Sequence, residues 1–330
     1  MVTETLLQSL LIYAARNATE AAARAAYEWL GRGEKSRSDR VAMNAMRCEL
    51  DRLPINGTVI IGDVSGDEKA SLKTGDRVGD AKAPLQFDIA VDPVEGTSYL
   101  AKGLTNAMAV MAMAPKGTLY QPGPAFYMEK FVAPPAAKGK IDPRATVEEK
   151  LRTLAKILDK PVSELTVFAL EKPRHNELVD RIHTLGARVA LYPAGDVAGA
   201  LMAAIPDSGI DALVGTGGTP EGILSACAIR TLGGEFQARL DPQLPSETTA
   251  VKKAGLDITR WLSIEDLVRS EAVYFVATGI TTGLLFDGVE RTRGTERTQT
   301  LLISGITGER QLLTTYHSLN GPSASGGKGA

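Results

Sequence analysis

Between residues 166 and 232 the chain switches repeatedly between two hydrophobic periodicities, and this alternation limits its folds more than any other feature. Residues 166–170, 188–192 and 210–214 read as short β-branched and aromatic strands. Residues 176–185, 196–204 and 220–232 read as helices with apolar positions three and four apart. Strand–helix alternation predicts an α/β fold with a mostly parallel, helix-covered sheet. Ligands of such a sheet belong at the C-terminal ends of its strands. The three ends here are rich in chemistry. The first runs into Glu171-Lys172-Pro173-Arg174-His175 and the second into Pro193-Ala194-Gly195-Asp196. The third runs into Gly215-Thr216-Gly217-Gly218-Thr219-Pro220-Glu221, expected as a glycine-rich turn whose N–H groups face an anionic oxygen. It lacks the Lys-Ser/Thr of a P-loop and the full GxGxxG spacing. Thr219, Pro220 and Glu221 equally suit a plain helix cap and first turn.

A second strand end concentrates acid. In FDIAVDPVEGT, Phe87, Ile89 and Val91 alternate with Asp88, Ala90 and Asp92, the period of a strand. Pro93 is expected to end that strand, because it cannot donate to a central ladder. Asp92, Glu95 and Thr97 then gather at a sheet rim. Crowded carboxylates resist joint ionisation unless a cation neutralises them, and a hard ion such as Mg2+ or Mn2+ suits them. A solvated Asp-Pro turn accounts for the same residues.

Upstream, residues 4–30 read as one long helix stopped by Gly31 and Gly33, which leaves Glu34 and Lys35 just past its end. A second helix is expected over 39–52. Asn56-Gly57 reads as a turn and 58–62 as a strand. That strand delivers Asp63, Asp67 and Glu68 to its end, unless 62–69 is only an acidic solvated loop. Residues 107–114 and 125–132 read as strands, the latter carrying Tyr127, by default a half-buried strand tyrosine. Residues 134–143 read as a connection, and Thr146 with Glu148 and Glu149 opens a helix of about 12 residues. Strands are expected at 272–277, 283–286, 298–303 and 309–317, and the Gly/Ser-rich 321–330 as disordered. The domain reading is a metal-binding lobe over 1–138, an α/β lobe over 139–320 and a tail.

Composition excludes several classes. The net charge of −2 argues against a nucleic-acid binder, and no 18-residue apolar run suggests a membrane span. Glu4 and the lack of a basic n-region argue against a secretory signal, so a cytoplasmic protein is expected. Three scattered histidines do not make a zinc site. Cys48 and Cys227 belong to no CxxC pair and are expected as buried thiols.

Acidic side chains at element ends, together with Lys172 and Arg174, describe a metal-dependent phosphatase. The stretches GRGEK, NAMR, TVIIGD with DE, VDPVEGT, FYMEK, KPRH, GDVAG, GTGGTPEG and VATGIT occur in this order. Over roughly residues 4–318 the chain resembles the class II fructose-1,6-bisphosphatases of the lithium-sensitive, inositol-monophosphatase-like superfamily. The resemblance implies a layered α/β fold of two sheets with helix layers. It implies metal ligands at Glu34, Asp63, Asp92, Glu95 and Glu221. It implies substrate contacts at Glu95, Gly96, Thr97, Tyr127, Lys172, Pro173, Arg174, Gly195, Asp196 and Gly218. The implied reaction removes the 1-phosphate of fructose 1,6-bisphosphate with Mg2+ or Mn2+, as in gluconeogenesis or Calvin-cycle carbon metabolism. Sedoheptulose 1,7-bisphosphate is a further substrate of some members, and a homo-oligomer, dimer or tetramer, is expected. Thr97 is expected to orient the water and Asp67 to accept its proton. Three stretches depart from the family: Glu34 for Asp, Asp63-Val64-Ser65 for Glu-Gly-Glu, and Ala194 for Asp. These departures leave a second expectation, a catalytically impaired paralogue with an altered first metal site that binds sugar phosphate or acts as a regulatory subunit.

Overall fold

Both sheets of this protein are apolar on two faces, and that alone forces helices above, between and below them. The computed structural model describes residues 4–62 and 72–319. Helices α1 (Glu4–Tyr27) and α2 (Lys35–Leu50) precede strands β1 (Asn56–Ile61), β2 (Arg77–Gly79) and β3 (Gln86–Glu95). The short helix α3 (Thr97–Lys102) leads to β4 (Met108–Pro115) and β5 (Tyr127–Ala133). Next come α4 (Val147–Ile157), β6 (Thr166–Leu170), α5 (Asn176–Leu185), β7 (Arg188–Tyr192), α6 (Asp196–Ala204), β8 (Ala212–Gly218) and α7 (Thr219–Leu232). They are followed by β9 (Glu235–Leu240), α8 (Pro245–Lys253), β10 (Trp261–Leu262) and α9 (Ile264–Leu267). The last strands are β11 (Tyr274–Gly279), β12 (Glu290–Thr292), β13 (Thr295–Ser304) and β14 (Glu309–Ser318).

Among the described residues the first sheet has the order β12-β13-β11-β4-β3-β1-β2, with β14 paired to β13. The second has the order β10-β9-β5-β8-β6-β7. Period-2 alternation assigns each strand's side chains to two different cores. In β5, β6 and β8, Val132, Phe168 and Leu213 face the layer of α6 and α7 between the sheets, where they join Leu201, Ile223 and Leu224. Their neighbours Phe131, Val167 and Val214 face α4 and α5, against Leu151, Leu154 and Ile182. On the far side of the first sheet, Ala15, Ala22, Ala42 and Met46 of α1 and α2 cover Val59, Ile89 and Met111. Each large apolar side chain buried this way contributes about 1.5–3 kcal/mol. The layered α/β architecture expected from the sequence is therefore present. β5, which precedes residue 138, lies in the second sheet, while β11 to β14 complete the first. No helix among the described residues is long and apolar enough to cross a membrane.

Several local expectations are corrected. The second sheet is mixed: β6 runs parallel to β7 and β8, but β5 is antiparallel to β8 and β9. The strand–helix alternation could not register β5 and β9, which enter that sheet from outside the repeat. Gly57 lies inside β1 rather than in a turn; a Cβ there would sit 2.6 Å from Val78 Cγ2. Close packing, not chain reversal, requires the glycine. Helix α2 starts at Lys35, before the expected residue 39. Residues 283–286 form no strand; the Gly283 N–H donates to the Phe286 carbonyl at 3.0 Å in an irregular turn. Cys48 is exposed, because it lies opposite the Ala42, Met43, Met46 and Leu50 stripe of α2. Cys227 is buried in α7, and burial pushes its thiol pKa up. The expected disordered tail, 321–330, lies outside the described residues, as does the acidic loop from Asp63 to Glu68.

The start of α4 matches its sequence signature. Thr146 Oγ1 accepts the Glu149 N–H at 3.3 Å, and Glu149 Oε2 accepts the Thr146 N–H at 2.8 Å, a reciprocal capping box. Thr146→Ala should lower stability by about 1 kcal/mol, read as a reduced urea midpoint at unchanged slope.

Candidate active site

Asp92, Glu95 and Glu221 each offer a carboxylate oxygen, and these oxygens lie within 4.8 Å of one another. Two elements bring them together. The strand does not stop at Pro93, as expected, but continues to Glu95 through a register shift against β4 between Asp92 and Glu95. Proline is tolerated because an irregular ladder asks no N–H of it. The Val94 N–H donates instead to Asp92 Oδ1 at 3.1 Å. The shift lets Asp92 and Glu95 face the same opening. Glu221 comes from the first turn of α7, where the positive end of the helix dipole favours a carboxylate.

The cluster borders a cavity of about 320 Å³ lined also by Asp39, Thr97, Phe126 and Ala194. Glu95 is buried, and Glu95 Oε1 and Glu221 Oε2 are buried oxygens without a hydrogen-bond donor. Burial raises all three pKa values: Asp92 upward, Glu95 well upward with Asp92 and Asp196 repelling it, and Glu221 to about 7. Orphaned, mutually repelling carboxylate oxygens at the mouth of a cavity fit a hard divalent cation.

The glycine-rich segment is strand rather than the expected turn. Gly215 to Gly218 continue β8, paired with Tyr127 to Lys130 of β5. Their missing side chains make room for the site's own groups. A Cβ on Gly215 would meet the His175 ring at 2.9 Å, one on Gly217 would overlap the Asp196 carboxylate, and one on Gly218 would overlap that of Glu221. Lys130 and Asp196 form a buried ion pair at 2.5 Å alongside. His175 donates from Nδ1 to the Leu170 carbonyl at 2.7 Å and accepts the Thr216 N–H on Nε2 at 2.8 Å. Burial lowers its pKa, so it acts as a neutral clasp between β6 and β8.

The remaining expected residues are distributed as follows. Thr97 begins α3, and its hydroxyl lies 3.0 Å from the Val94 carbonyl and 3.3 Å from Asp39 Oδ1. Gly96 and Ala194 share the carboxylate cavity, and Gly195 precedes α6 beside the Tyr99 ring. Tyr127 carries the Arg174 guanidinium 5.1 Å above its ring, and Arg174 Nε and Nη2 both donate to the Thr216 carbonyl. Lys172 and Pro173 border a separate groove under α5. Asp196 is held by Lys130 and does not line the carboxylate cavity. Glu34 stands exposed at the N-terminal boundary of α2, outside the three-carboxylate cluster. Asp63 and Asp67 lie outside the described residues. Sequence reasoning missed Asp39. Its signal was the start of α2 at Lys35, which puts Asp39 in the second turn, facing Thr97.

The family model described as bacterial fructose-1,6-bisphosphatase, glpX-encoded, matches residues 9–317. The chain belongs to this family. It is 42% identical over 315 residues to the class 2 fructose-1,6-bisphosphatase of Haemophilus influenzae, covering 92% of this chain and 94% of that one. It is 41% identical over 315 residues to fructose-1,6-bisphosphatase 1 class 2 of Escherichia coli K12, covering 92% and 93%.

Two outcomes follow from the carboxylate geometry. Gly218→Ala should displace the Glu221 side chain and weaken binding of Mn2+ at least tenfold, read by calorimetry on protein with an unchanged circular dichroism spectrum. Glu221 has a folded pKa near 7 against an ordinary value of 4.5. The folded state therefore holds a proton that the unfolded state releases, and this contribution to stability is lost as pH rises through 7. Metal-stripped protein should melt lower at pH 8 than at pH 5.5, and added divalent cation should restore more at pH 8.

Proposed function

We propose that this protein hydrolyses the 1-phosphate of fructose 1,6-bisphosphate, giving fructose 6-phosphate and inorganic phosphate, with Mg2+ or Mn2+ as the cation. The convergence of Asp92, Glu95 and Glu221 carries this reading, in a chain that is similar over 92% of its length to proteins named for that activity. These three side chains would hold the cation, which neutralises phosphoryl charge and acidifies a water when bound.

The chain's own groups supply the rest. The single Thr97 hydroxyl proton has two acceptors in reach, the Val94 carbonyl at 3.0 Å and Asp39 Oδ1 at 3.3 Å; turned toward Asp39, the hydroxyl can accept a proton from water and pass its own to that carboxylate. Asp39 is thus a candidate proton acceptor among the described residues, beside Asp67, which lies outside them. Arg174 is pre-set by the Thr216 carbonyl and the Tyr127 ring, with donors remaining for the distal phosphate. Lys172, two residues earlier, borders the groove under α5 and adds positive potential at longer range. Sedoheptulose 1,7-bisphosphate presents the same two phosphates and belongs among the substrates.

The test is phosphate release from both bisphosphates over a panel of divalent ions. Asp92→Asn and Glu221→Gln should each lose activity about a thousandfold, and Thr97→Val should lower kcat about a hundredfold. Arg174→Ala should raise KM more than it lowers kcat. A folded wild-type protein that releases no phosphate across the panel would overturn the reading and favour a sugar-phosphate-binding paralogue.

A further inference from the structure

On the opposite face of the second sheet a cleft of about 640 Å³ opens between β5, β8, β9 and the N-terminal ends of α4 and α5. It shares no lining residue with the carboxylate cavity. Lysines and arginines outnumber acids along its wall, six to three. Lys150 is 5% exposed, yet among the described residues its ammonium makes no ion pair. Its one hydrogen bond goes to Gln237 Oε1 at 3.0 Å, which leaves two of its three N–H donors over. Gln237 is itself fixed, donating through Nε2 to the Ile141 carbonyl at 2.7 Å. The Lys150 ammonium sits 4.1 Å from the Trp261 ring and 5.0 Å from Phe131. Arg239 stacks on the same indole at 5.1 Å, with only Nη2 engaged, by Glu129 at 2.6 Å. Arg144 at the rim is exposed, and its guanidinium has no partner among the described residues.

A buried ammonium without a direct ion pair is costly, and burial lowers the Lys150 pKa to about 8, with Glu129, Asp142 and Glu235 offsetting only part of the shift. A structural role alone would be met more cheaply by an apolar side chain against Trp261 and Phe131. An incoming dianion removes the cost, and one ammonium with two guanidinium forks matches the oxygens of a phosphate. The volume is that of a small-molecule site.

We propose that this cleft is a second ligand site, which takes a small phosphate ester with its phosphate met by Lys150, Arg239 and Arg144. Arg174, assigned to the substrate's distal phosphate, borders the same cleft, but Lys150, Arg239 and Arg144 line no part of the carboxylate cavity, so the proposed site does not depend on the hydrolysis reading. The probe is inorganic phosphate, titrated at millimolar concentration into the full chain stripped of divalent ions and followed by calorimetry. Lys150→Met keeps the apolar volume and should weaken phosphate binding about tenfold or more, as should Arg144→Ala at the exposed rim, where folding is not at risk. Lys150→Met and Arg144→Ala should both leave KM for the bisphosphate intact. The proposal is overturned if the wild type takes up no phosphate, or if Lys150→Met and Arg144→Ala bind it like wild type. It is equally overturned if Lys150→Met or Arg144→Ala raises KM, since the cleft would then be part of the substrate site.

Discussion

Three carboxylates held within 4.8 Å of one another, none ion-paired to a lysine or arginine among the described residues, are the constraint around which this structure is arranged. Left to themselves they would move apart or take up protons. They stay because each is anchored by backbone that has other reasons to be where it is. Asp92 and Glu95 ride on β3, a central strand with apolar cores on both faces. Glu221 rides on the first turn of α7, a helix buried between the sheets. Burial energy spread over many side chains thus maintains a local repulsion, and a cation relieves it.

The same economy of space governs the approach to the site. Lys130 and Asp196 are paired at 2.5 Å in the interior, next to Gly217, where any side chain would collide with them. A buried pair of this kind adds little net stability over apolar packing, but breaking one partner is costly. Its value here is positional: Asp196 adds negative potential to Glu95 and Glu221, and Lys130 offsets part of it at Glu221. Gly218 yields its volume to Glu221, and Gly215 to His175, which fastens β6 to β8. The run Gly-Thr-Gly-Gly is a strand hollowed out for its neighbours.

Much of this was readable before any coordinates. Residues 166–170, 176–185, 188–192 and 196–204 fold as their periodicity dictates, because each segment is short, strongly patterned and bounded by Gly, Pro or a polar cap. Asp92, Glu95 and Glu221 were visible as acids at element ends. Asp39 was not, because a carboxylate in a helix's second turn looks like any solvated acid until the helix start is known. Gly57 and the Gly215–Gly218 run misled for a related reason: a glycine needed for close approach carries the same letter as one needed for a turn. The mixed second sheet was hidden because β5 and β9 come from outside the strand–helix repeat and join it only by tertiary pairing.

By itself, then, the order of residues determined the layered α/β class and the kind of chemistry, since periodicity and residue type are local properties. Which acids share one cavity, which threonine meets which aspartate, and that Lys150 faces a cleft without a direct ion pair were decided by tertiary structure alone. Those are relations between segments tens to hundreds of residues apart, and they are fixed only when the apolar faces of two sheets and three helix layers close on one another.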